Sequence, residues 1–341
     1  MNGPLTVTGK ALAPDYDTVL AHEHLAIDIR CWLDQSHAPS AHLRDELVTE
    51  ANADEIRANP FACSDNLLLD DHLLIAEELS ALAGEGRTLV VDVTPESVGR
   101  DIGKIAALSR EAQLDVVFGC GPYIGESRPE DGPEKTAAHY RDAILAQFDG
   151  PQPRPAVIGE IGTGDPILSV EAEALRGAAM AQARVGAALY VHLHPFARRG
   201  HEALDIVEAA GGNLRRTVLC HLDPQIEGGL DYHRELMDRG ATISFDLWGD
   251  DFDYGDVAMP TDGQRIDALV ALVDGGYGDR IVHSHDVCTK TQLLRFGGAG
   301  YAHIPRKVAG MMAAAGLSSD EIRRQLAGNA LALVKPEGEM P

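Results

Sequence analysis

Two histidines separated by one residue, His22 and His24, end a short apolar run that begins at Thr18. Successive side chains of a β-strand point to opposite faces, so both imidazoles would point the same way and Glu23 would point the other way. Neutral imidazoles are ligands for zinc and for other divalent first-row metals. The pair therefore predicts half of a metal site at the carboxyl end of a strand, and other strands have to supply the rest.

Ligand-type side chains also end four later apolar runs. They are Glu160, His192, His221 and Asp286. With the first pair this makes four imidazoles and two carboxylates, which are too many for one tetrahedral ion and enough for two ions that share a carboxylate. Glu160 lies between the two halves in chain order and is the predicted bridge. We expect one ion on the first histidine pair and Asp286, and the other on His192 and His221.

Other histidines near these runs leave alternatives open. His194 lies two residues after His192 and shares its face, so it is an alternative ligand, and His192 is preferred because it is nearer the strand end. His283 and His285 alternate with Asp286. If Asp286 points into the site, both point away from it, which favours hydrogen-bonded or core roles for them.

These residues have to be brought together by the elements that carry them. Apolar, β-branched runs alternate with helical patterns rich in Ala, Leu and Glu along the whole chain. Such alternation predicts a parallel sheet, and eight repeats favour a closed (β/α)8 barrel, a TIM barrel, over an open doubly wound sheet. In such a barrel the carboxyl ends of all strands meet at one face, where active sites lie. The predicted strands are Thr18–His24, Thr88–Thr94, Val116–Tyr123, Ala156–Glu160, Leu189–His192, Thr217–His221, Ala241–Asp246 and Arg280–Asp286.

We predict one domain over residues 1–341, because no Pro/Gly/Ser-rich linker divides the chain. No GxGxxG loop follows a strand and no Walker A sequence occurs, so a nucleotide-binding Rossmann fold has little support. The segment 26–70 between the first two strands is long. In a barrel it would form a loop on the active-site face, either as a lid-like segment or as a surface excursion.

Composition narrows the class of partner. The chain has 29 Lys and Arg against 53 Asp and Glu, and this net charge of -24 argues against nucleic acid and anionic membranes as partners. Five cysteines without a CxxC pair indicate reduced thiols. The N-terminus has no apolar signal-peptide core, and no apolar run approaches the roughly 20 residues of a membrane span. We expect a soluble cytoplasmic protein that acts on a small molecule.

Several sequence motifs resemble the phosphotriesterase family of the amidohydrolase superfamily, over nearly the whole chain. They are AHEHL at 21–25, TPESVGRD at 94–101, VIGEIGTG at 157–164, CHLD at 220–223 and HSHD at 283–286. Within the family the chain looks most like the phosphotriesterase-related and phosphotriesterase-like lactonase groups. The match to the phosphotriesterase-related group lies in FDLWG at 245–249 and in the stretch at 285–304.

The resemblance implies a TIM barrel, a homodimer and two divalent metal ions, zinc first, with cobalt, manganese or iron as alternatives. The ligands that it implies are the six found at the strand ends, with Glu160 as the bridge. The archetypal organophosphate hydrolases carry a carbamylated lysine at that position, whereas other branches carry a glutamate. Glu160 therefore argues against paraoxon-type phosphotriesterase activity.

The resemblance also suggests the reaction. The family contains phosphotriesterases, lactonases and other carboxyl ester hydrolases, and the phosphotriesterase-related group has been linked to hydrolysis of an N-acyl amino sulfonate, an amide. We expect a binuclear hydrolase whose bridging hydroxide cleaves a carboxyl ester, lactone or amide. The alternatives are a phosphoester or phosphotriester hydrolase on the same site and a catalytically silent small-molecule binding protein.

Individual residues receive the following expected roles. Asp286 would accept the hydroxide proton and deliver it to the leaving group. Tyr123 resembles the lactonase tyrosine that points at the substrate carbonyl, and otherwise it is a core tyrosine. Lys290 and Arg295 would hold an anionic substrate tail unless they form salt bridges to neighbouring acids. Trp248 would line the same pocket.

Overall fold

The computed structural model describes residues 3–34, 36, 38–128, 135–251 and 258–335. Eight parallel strands, each paired with the next in chain order, form a nearly closed barrel, as the sequence predicts. The barrel strands are β1 (Thr18–Glu23), β4 (Thr88–Asp92), β5 (Asp115–Cys120), β6 (Val157–Gly162), β7 (Leu189–His192), β8 (Thr217–Leu219), β9 (Thr242–Phe245) and β10 (Ile281–His283). A separate antiparallel pair, β2 (Ile27–Asp28) and β3 (Leu68–Leu69), lies in the long segment after β1. The ends of the predicted domain, residues 1–2 and 336–341, lie outside the described residues.

Helices connect the strands and cover the barrel. The α-helices are α1 (Ala53–Arg57), α2 (His72–Ala83), α3 (Ile102–Ala112), α4 (Ala137–Phe148), α5 (Ser169–Val185), α6 (Gly200–Ala209), α7 (Asp231–Asp238), α8 (Asp262–Asp274), α9 (Ala309–Ala314), α10 (Ser319–Arg323) and α11 (Asn329–Val334). Two π-helical segments, Ile304–Val308 and Arg324–Gly328, join the last helices. Polar side chains start several of them. Asp71, for example, accepts hydrogen bonds from the first amides of α2. No helix in the described ranges is long and apolar enough to cross a membrane.

Most strands end before the apolar runs do, whereas β7 coincides with its predicted run and β6 continues past Glu160. β8 and β10 end before His221 and Asp286, which lie in the following loops. β6, by contrast, continues to Gly162, so the prediction that this strand ends at Glu160 was wrong. An apolar run records burial, and buried loop residues after a strand extend the run beyond the last ladder hydrogen bond.

Two apolar layers lie on the two faces of the barrel wall. One fills the inside, with alternate strand residues such as Val19, Val91 and Val157. The other lies between the strands and the helices, with Leu20, Val90 and their counterparts. This alternation of neighbouring strand residues between layers follows from the period of two along a strand.

Candidate metal centre

The first two histidines reach the inside of the barrel because β1 contains a β-bulge. Between Leu20 and Glu23, β1 advances three residues while β4 advances two. Leu20 packs in the outer layer, and a regular strand would place His22 on that side as well. The extra residue reverses the alternation, so His22 and His24 face the barrel interior and Glu23 faces outward.

A second bulge aims Glu160 inward from β6. Between Ile158 and Ile161, β6 advances three residues while β7 advances two, and both isoleucines pack in the outer layer. The extra residue lies between them and turns Glu160 to the inside. Gly159 permits this bend because its φ is 121° and a Cβ there would lie 2.5 Å from the Tyr190 carbonyl oxygen.

His221 and Asp286 enter the site from loops with unusual backbone geometry. Their φ angles are 60° and 49°, in the left-handed region that non-glycine residues rarely adopt. Two hydrogen bonds hold these positions, from His221 N to Asp246 Oδ1 at 2.9 Å and from Asp286 N to the His22 carbonyl oxygen at 3.2 Å. Such conformations cost about 1–3 kcal/mol each and concentrate at functional sites.

The side chains meet in a buried cluster at the carboxyl end of the barrel. On one side, Asp286 Oδ1 lies 3.0 Å from His24 Nε2 and 3.5 Å from His22 Nε2. Glu160 Oε1 lies 3.5 Å from His24 Nε2, and Glu160 Oε2 lies 3.5 Å from His22 Nε2. These four residues form the first half of the cluster.

Glu160 also belongs to the second half. Its Oε2 atom lies 3.1 Å from His192 Nδ1 and 3.8 Å from His221 Nε2. The two imidazole nitrogens, His192 Nδ1 and His221 Nε2, are 2.9 Å apart. One carboxylate thus stands between two groups of imidazoles.

Polar partners outside the cluster orient three of the imidazoles. His24 Nδ1 lies 2.9 Å from Thr94 Oγ1, and His221 Nδ1 lies 3.1 Å from Asp246 Oδ1. The other oxygen of Asp246 lies 3.0 Å from His22 Nδ1. With the Nδ1 protons of His24 and His221 facing these oxygens, the Nε2 lone pairs of both rings point into the cluster, which is the tautomer that a metal ligand needs.

The cluster has the properties of a metal site. His22 Nε2 is buried and has no hydrogen-bond partner among the described residues. Its neighbours in the cluster are imidazoles and carboxylates, which are the side chains that bind zinc and related divalent ions. The ligand atoms of His22, His24 and Glu160, and those of Glu160, His192 and His221, each lie close enough to share one ion. The residues therefore fit a metal-bearing centre.

Burial and neighbouring charges set the protonation states. Burial by itself raises the pKa of the Glu160 carboxyl, but the imidazoles of His22 and His192 lower that pKa well below its ordinary range. Burial lowers the pKa of His192. An ionised Glu160 and a neutral His192 are the forms that bind metal, because bound ligands must be free of the competing proton.

A cavity of about 270 Å³ opens above the cluster. Its walls combine apolar and polar side chains from the long segment after β1 and from the loops after β5, β7, β9 and β10. The lining residues include Ile27, Ile29, Trp32, Asp34, Phe61, Tyr123, His194, Pro195, Phe196, Leu247, Asp250, Met259, Cys288 and Gln292. The segment 26–70 thus supplies part of the pocket wall. The sequence alone did not decide between a lid-like segment and a surface excursion.

Tyr123 lies in this cavity beside the second half of the cluster. Its hydroxyl lies 3.4 Å from His192 Nδ1 and accepts a hydrogen bond from Trp32 Nε1 at 3.2 Å. Burial, and after it the carboxylates of Glu160 and Asp286, raise the pKa of Tyr123 well above its ordinary value. The phenol therefore keeps its proton and remains a hydrogen-bond donor.

The structure does not bring Lys290, Arg295 or Trp248 to the pocket wall. Lys290 Nζ lies 2.6 Å from Asp65 Oδ1, and the Arg295 side chain is exposed and pairs with Glu50 at 3.4 Å. Trp248 is buried, with Nε1 donating to His283 Nδ1 at 3.1 Å. None of these three side chains is among the residues that line the cavity, and an acidic or imidazole partner within the fold contacts each of them.

The structure also shows where the alternative histidines near these strand ends lie. His192 belongs to the cluster, whereas His194 lines the cavity, where its Nδ1 accepts a hydrogen bond from Phe196 N. His283 and His285 both point away from the cavity, towards Gln325 and Glu23. Asp246 is the functional residue that the sequence reasoning missed. It ends the seventh apolar run, and that position was its only signal.

Comparisons with known proteins agree with this architecture. An N-acetyltaurine hydrolase of Tetraodon nigroviridis is 34% identical over 340 residues, which cover 95% of each chain. The crystal structure of a resiniferatoxin-binding protein from Rhodobacter sphaeroides has 36% sequence identity and a TM-score of 0.92, and the match covers 98% of this chain and 95% of that one. A mutant of a phosphotriesterase-like lactonase from Deinococcus radiodurans shares the fold, at 22% identity, a TM-score of 0.73 and coverage of 97% and 99%.

A family model described as the phosphotriesterase family matches residues 5–333. The match begins before β1 and reaches into α11, so it includes every strand and loop that carries a cluster residue. The bulged strands, the buried cluster and the pocket above it are all parts of the matched region. The chain therefore belongs to the phosphotriesterase family.

Proposed function

We propose that this metal-dependent hydrolase uses two divalent ions to cleave a carboxyl ester, lactone or amide of a small molecule. The observation that carries the proposal is the position of Glu160, whose carboxylate contacts both groups of imidazoles at the floor of the pocket. One relative is named as an N-acetyltaurine hydrolase, which cleaves an amide, and a structural neighbour is named as a lactonase. Both names support the proposal that the scissile bond is a carboxyl ester, lactone or amide. Zinc is the first candidate, and cobalt, manganese and iron suit the same donors.

The residues around the two ions have distinct roles in the proposal. His22, His24 and Asp286 would hold one ion, and His192 and His221 the other, with Glu160 shared between them. When bound, the ions would lower the pKa of a water molecule and polarise the carbonyl oxygen. A glutamate at the shared position needs no covalent modification to present its two oxygens.

Two side chains of this chain would move or donate protons. Asp286 Oδ1 lies 3.0 Å from His24 Nε2, and Oδ2 lies farther from its imidazole neighbour, at 3.7 Å from His221 Nδ1. Oδ2 would therefore accept a proton from the attacking water and return it to the leaving group. The Tyr123 hydroxyl, which stays protonated, would donate a hydrogen bond to the carbonyl oxygen as negative charge develops on it.

The test combines metal content with turnover. The purified protein is analysed for metal per chain and assayed with lactones, aryl esters, N-acyl amino acids, N-acyl amino sulfonates and a phosphotriester. We expect two ions per chain and turnover of at least one carboxyl-derived class. Turnover of the phosphotriester alone would favour phosphoester hydrolysis, and binding without turnover in the fully metallated protein would favour a binding protein.

The role of Asp286 is tested by Asp286→Asn, which keeps an oxygen donor but removes the base. We expect a fall in kcat of about a hundredfold or more, with metal content measured on the same sample. Full turnover by a metal-loaded Asp286→Asn enzyme would exclude the proposed proton transfer.

A further inference from the structure

We infer that the pocket selects uncharged substrates with an apolar substituent beside the scissile bond, and that it discriminates against substrates with an anionic tail. The inference rests on the proposed function and names its substrate class. It also separates this chain from a hydrolase of N-acyl amino sulfonates, whose substrates carry a permanent negative charge.

The first observation is the position of the cations. The chain has 29 lysines and arginines, and the segments outside the described residues contain none of them by sequence. None of the 29 lines the cavity above the cluster. A sulfonate or carboxylate is usually recognised by a lysine or by the planar guanidinium of an arginine, and the pocket wall offers neither.

Two cations beside lining residues are held by other partners. Lys290 Nζ pairs with Asp65 at 2.6 Å, and its side chain is 13% exposed. Arg128 Nη2 donates to the carbonyl oxygen of Tyr123 at 2.6 Å, on the backbone side of that residue. Turning either cation towards a substrate would break a short, partly buried polar contact, so neither serves as a ready anion site.

The second observation is the chemistry of the wall. Apolar surface in the cavity comes from the segment after β1 and from the loop after β9, through Ile27, Trp32, Phe61, Leu247 and Met259. An alkyl or aryl substituent would bury its surface against them, and each methylene buried contributes about 0.8 kcal/mol, or roughly a fourfold gain in affinity. A charged tail in the same place would lose hydration without gaining a partner.

The acidic side chains in the wall also disfavour a substrate with an anionic tail. Asp34 and Asp250 both line the cavity. Ions in the cluster would attract negative charge at the pocket floor. That position would be occupied by the scissile group, so the tail of the substrate would lie farther from the ions. A tail that extends from the floor meets carboxylates and apolar surface.

The experiment compares substrates that share one scissile bond. The metal-loaded enzyme is assayed with γ-butyrolactones that carry a pentyl group, a carboxamide or a carboxylate at the γ carbon. We expect kcat/KM to fall in that order, with the carboxylate at least about tenfold below the isosteric carboxamide, as unfavourable charge contacts in partly screened surroundings imply. A carboxylate lactone hydrolysed as fast as the carboxamide would overturn the inference and leave the proposed hydrolase intact.

A binding series separates this inference from the reaction itself. The three cyclopentanones with the same substituents cannot be hydrolysed, and calorimetry gives their Kd values on the metal-loaded protein. We expect the pentyl ketone to bind most tightly and the carboxylate least. If no lactone, ester or amide is hydrolysed, the proposed function fails, and the ketone series still decides the preference. Equal or tighter binding of the carboxylate ketone, or no binding of the pentyl ketone, would overturn the inference.

A matched pair of variants tests the charge argument directly. Phe196 lies at the cavity edge and is 39% exposed, so a longer polar side chain fits there without disturbing the core. Phe196→Arg should raise the carboxylate-to-carboxamide ratio of kcat/KM by about tenfold, whereas Phe196→Gln should leave the ratio near its starting value. An unchanged ratio in Phe196→Arg would show that charge in the wall does not set the preference.

Discussion

Glu23 Oε1 accepts a hydrogen bond from His285 Nδ1 at 2.7 Å, so the residue between the two histidines of β1 holds the loop that carries Asp286. The same oxygen accepts the amide of His285, and Oε2 accepts the amide of Val287 at 3.1 Å. His285 Nε2 in turn accepts the Ile304 amide proton, which leaves the ring proton on Nδ1. Glu23 thus clamps the amides on both sides of Asp286.

We expect Glu23→Gln to lower the free energy of unfolding by about 2–4 kcal/mol, because one amide group cannot replace a buried carboxylate that accepts from donors on both oxygens. Because Asp286 would lose its support, kcat should fall more than KM rises. Urea unfolding and steady-state kinetics measure the two effects. The exposed Glu77→Gln, on α2, is the control. Wild-type kcat in Glu23→Gln would contradict the clamp.

Asp246 contacts one imidazole from each half of the cluster, His22 and His221. Asp246→Asn should weaken metal affinity by about 10–100-fold, because the neutral amide removes the negative charge that faces His22 and His221 and turns its NH2 group towards one of these two imidazoles. Competition with a chromogenic chelator measures this affinity. Asp267→Asn, at an exposed position of α8, should leave it unchanged. Unaltered affinity in Asp246→Asn would mean that the imidazoles are oriented without it.

The Tyr123 hydroxyl gives a prediction about the transition state. If it donates to the developing oxyanion, Tyr123→Phe should reduce kcat by about 100-fold with little change in KM. Trp32→Phe keeps an aromatic ring in the pocket wall and removes the indole N–H that donates to this hydroxyl, and we expect a smaller loss of kcat. Stopped-flow or steady-state assays on the preferred lactone measure both. A Tyr123→Phe enzyme with wild-type kcat would assign this tyrosine to packing alone.

Lys290 and Asp65 form a structural ion pair, with side chains 13% and 20% exposed. A double-mutant cycle with Lys290→Met and Asp65→Asn should give a coupling energy of about 1–2 kcal/mol in unfolding experiments. KM should change by the same factor for anionic and neutral substrates, because Lys290 does not line the pocket. A selective rise in KM for anions would restore the substrate role that the sequence suggested for Lys290.

His283 gives the fold a pH dependence. Burial lowers the pKa of His283 to about 4, while its hydrogen bond to Gln325 acts in the opposite direction. In the unfolded chain the pKa is about 6.5, so between about pH 6.5 and about pH 4 the unfolded state binds a proton that the folded state does not. The folded state therefore loses stability as the pH falls from about 6.5 to about 4, and the loss in the free energy of unfolding that His283 causes reaches about 3 kcal/mol. Above about pH 6.5 this loss is absent.

The measurement is urea unfolding between about pH 7 and about pH 4, the window set by the two pKa values. His283→Gln should show a shallower fall in stability with falling pH than the wild type. The exposed His139→Gln should keep the wild-type slope. Parallel slopes for wild type and His283→Gln would show that other groups carry the acid sensitivity.

The tertiary contacts also explain why three side chains that we expected in the pocket do not line it. Lys290 and Arg295 follow Asp286 in the loop after the last strand, and Trp248 follows β9, so sequence proximity suggested that they share the pocket. Loop residues near a site have several possible neighbours. The acid or imidazole that takes each donor lies more than 30 positions away in the chain, as Asp65 does for Lys290. No local pattern encodes such a pairing.

The sequence by itself determined the barrel and the membership of the cluster. Eight apolar runs alternating with helical patterns specify a parallel barrel, and the barrel brings the ends of its strands together. Ligand-type residues at those ends must therefore meet, whatever the exact strand boundaries. This is why His22, His24, His192 and His221 could be grouped with the two carboxylates although up to 264 positions separate them.

Only the tertiary structure decided which face these side chains occupy. The period of two relates His22 to His24, but Leu20, two residues earlier, lies in the outer layer. One extra residue in β1, and one in β6 before Ile161, turn His22 and Glu160 inward. A bulge is defined by pairing with a neighbouring strand, here β4 and β7, and a one-residue shift in that pairing reverses every following side chain. The ladder between strands, and not the order of residues within one of them, decides which face carries the site.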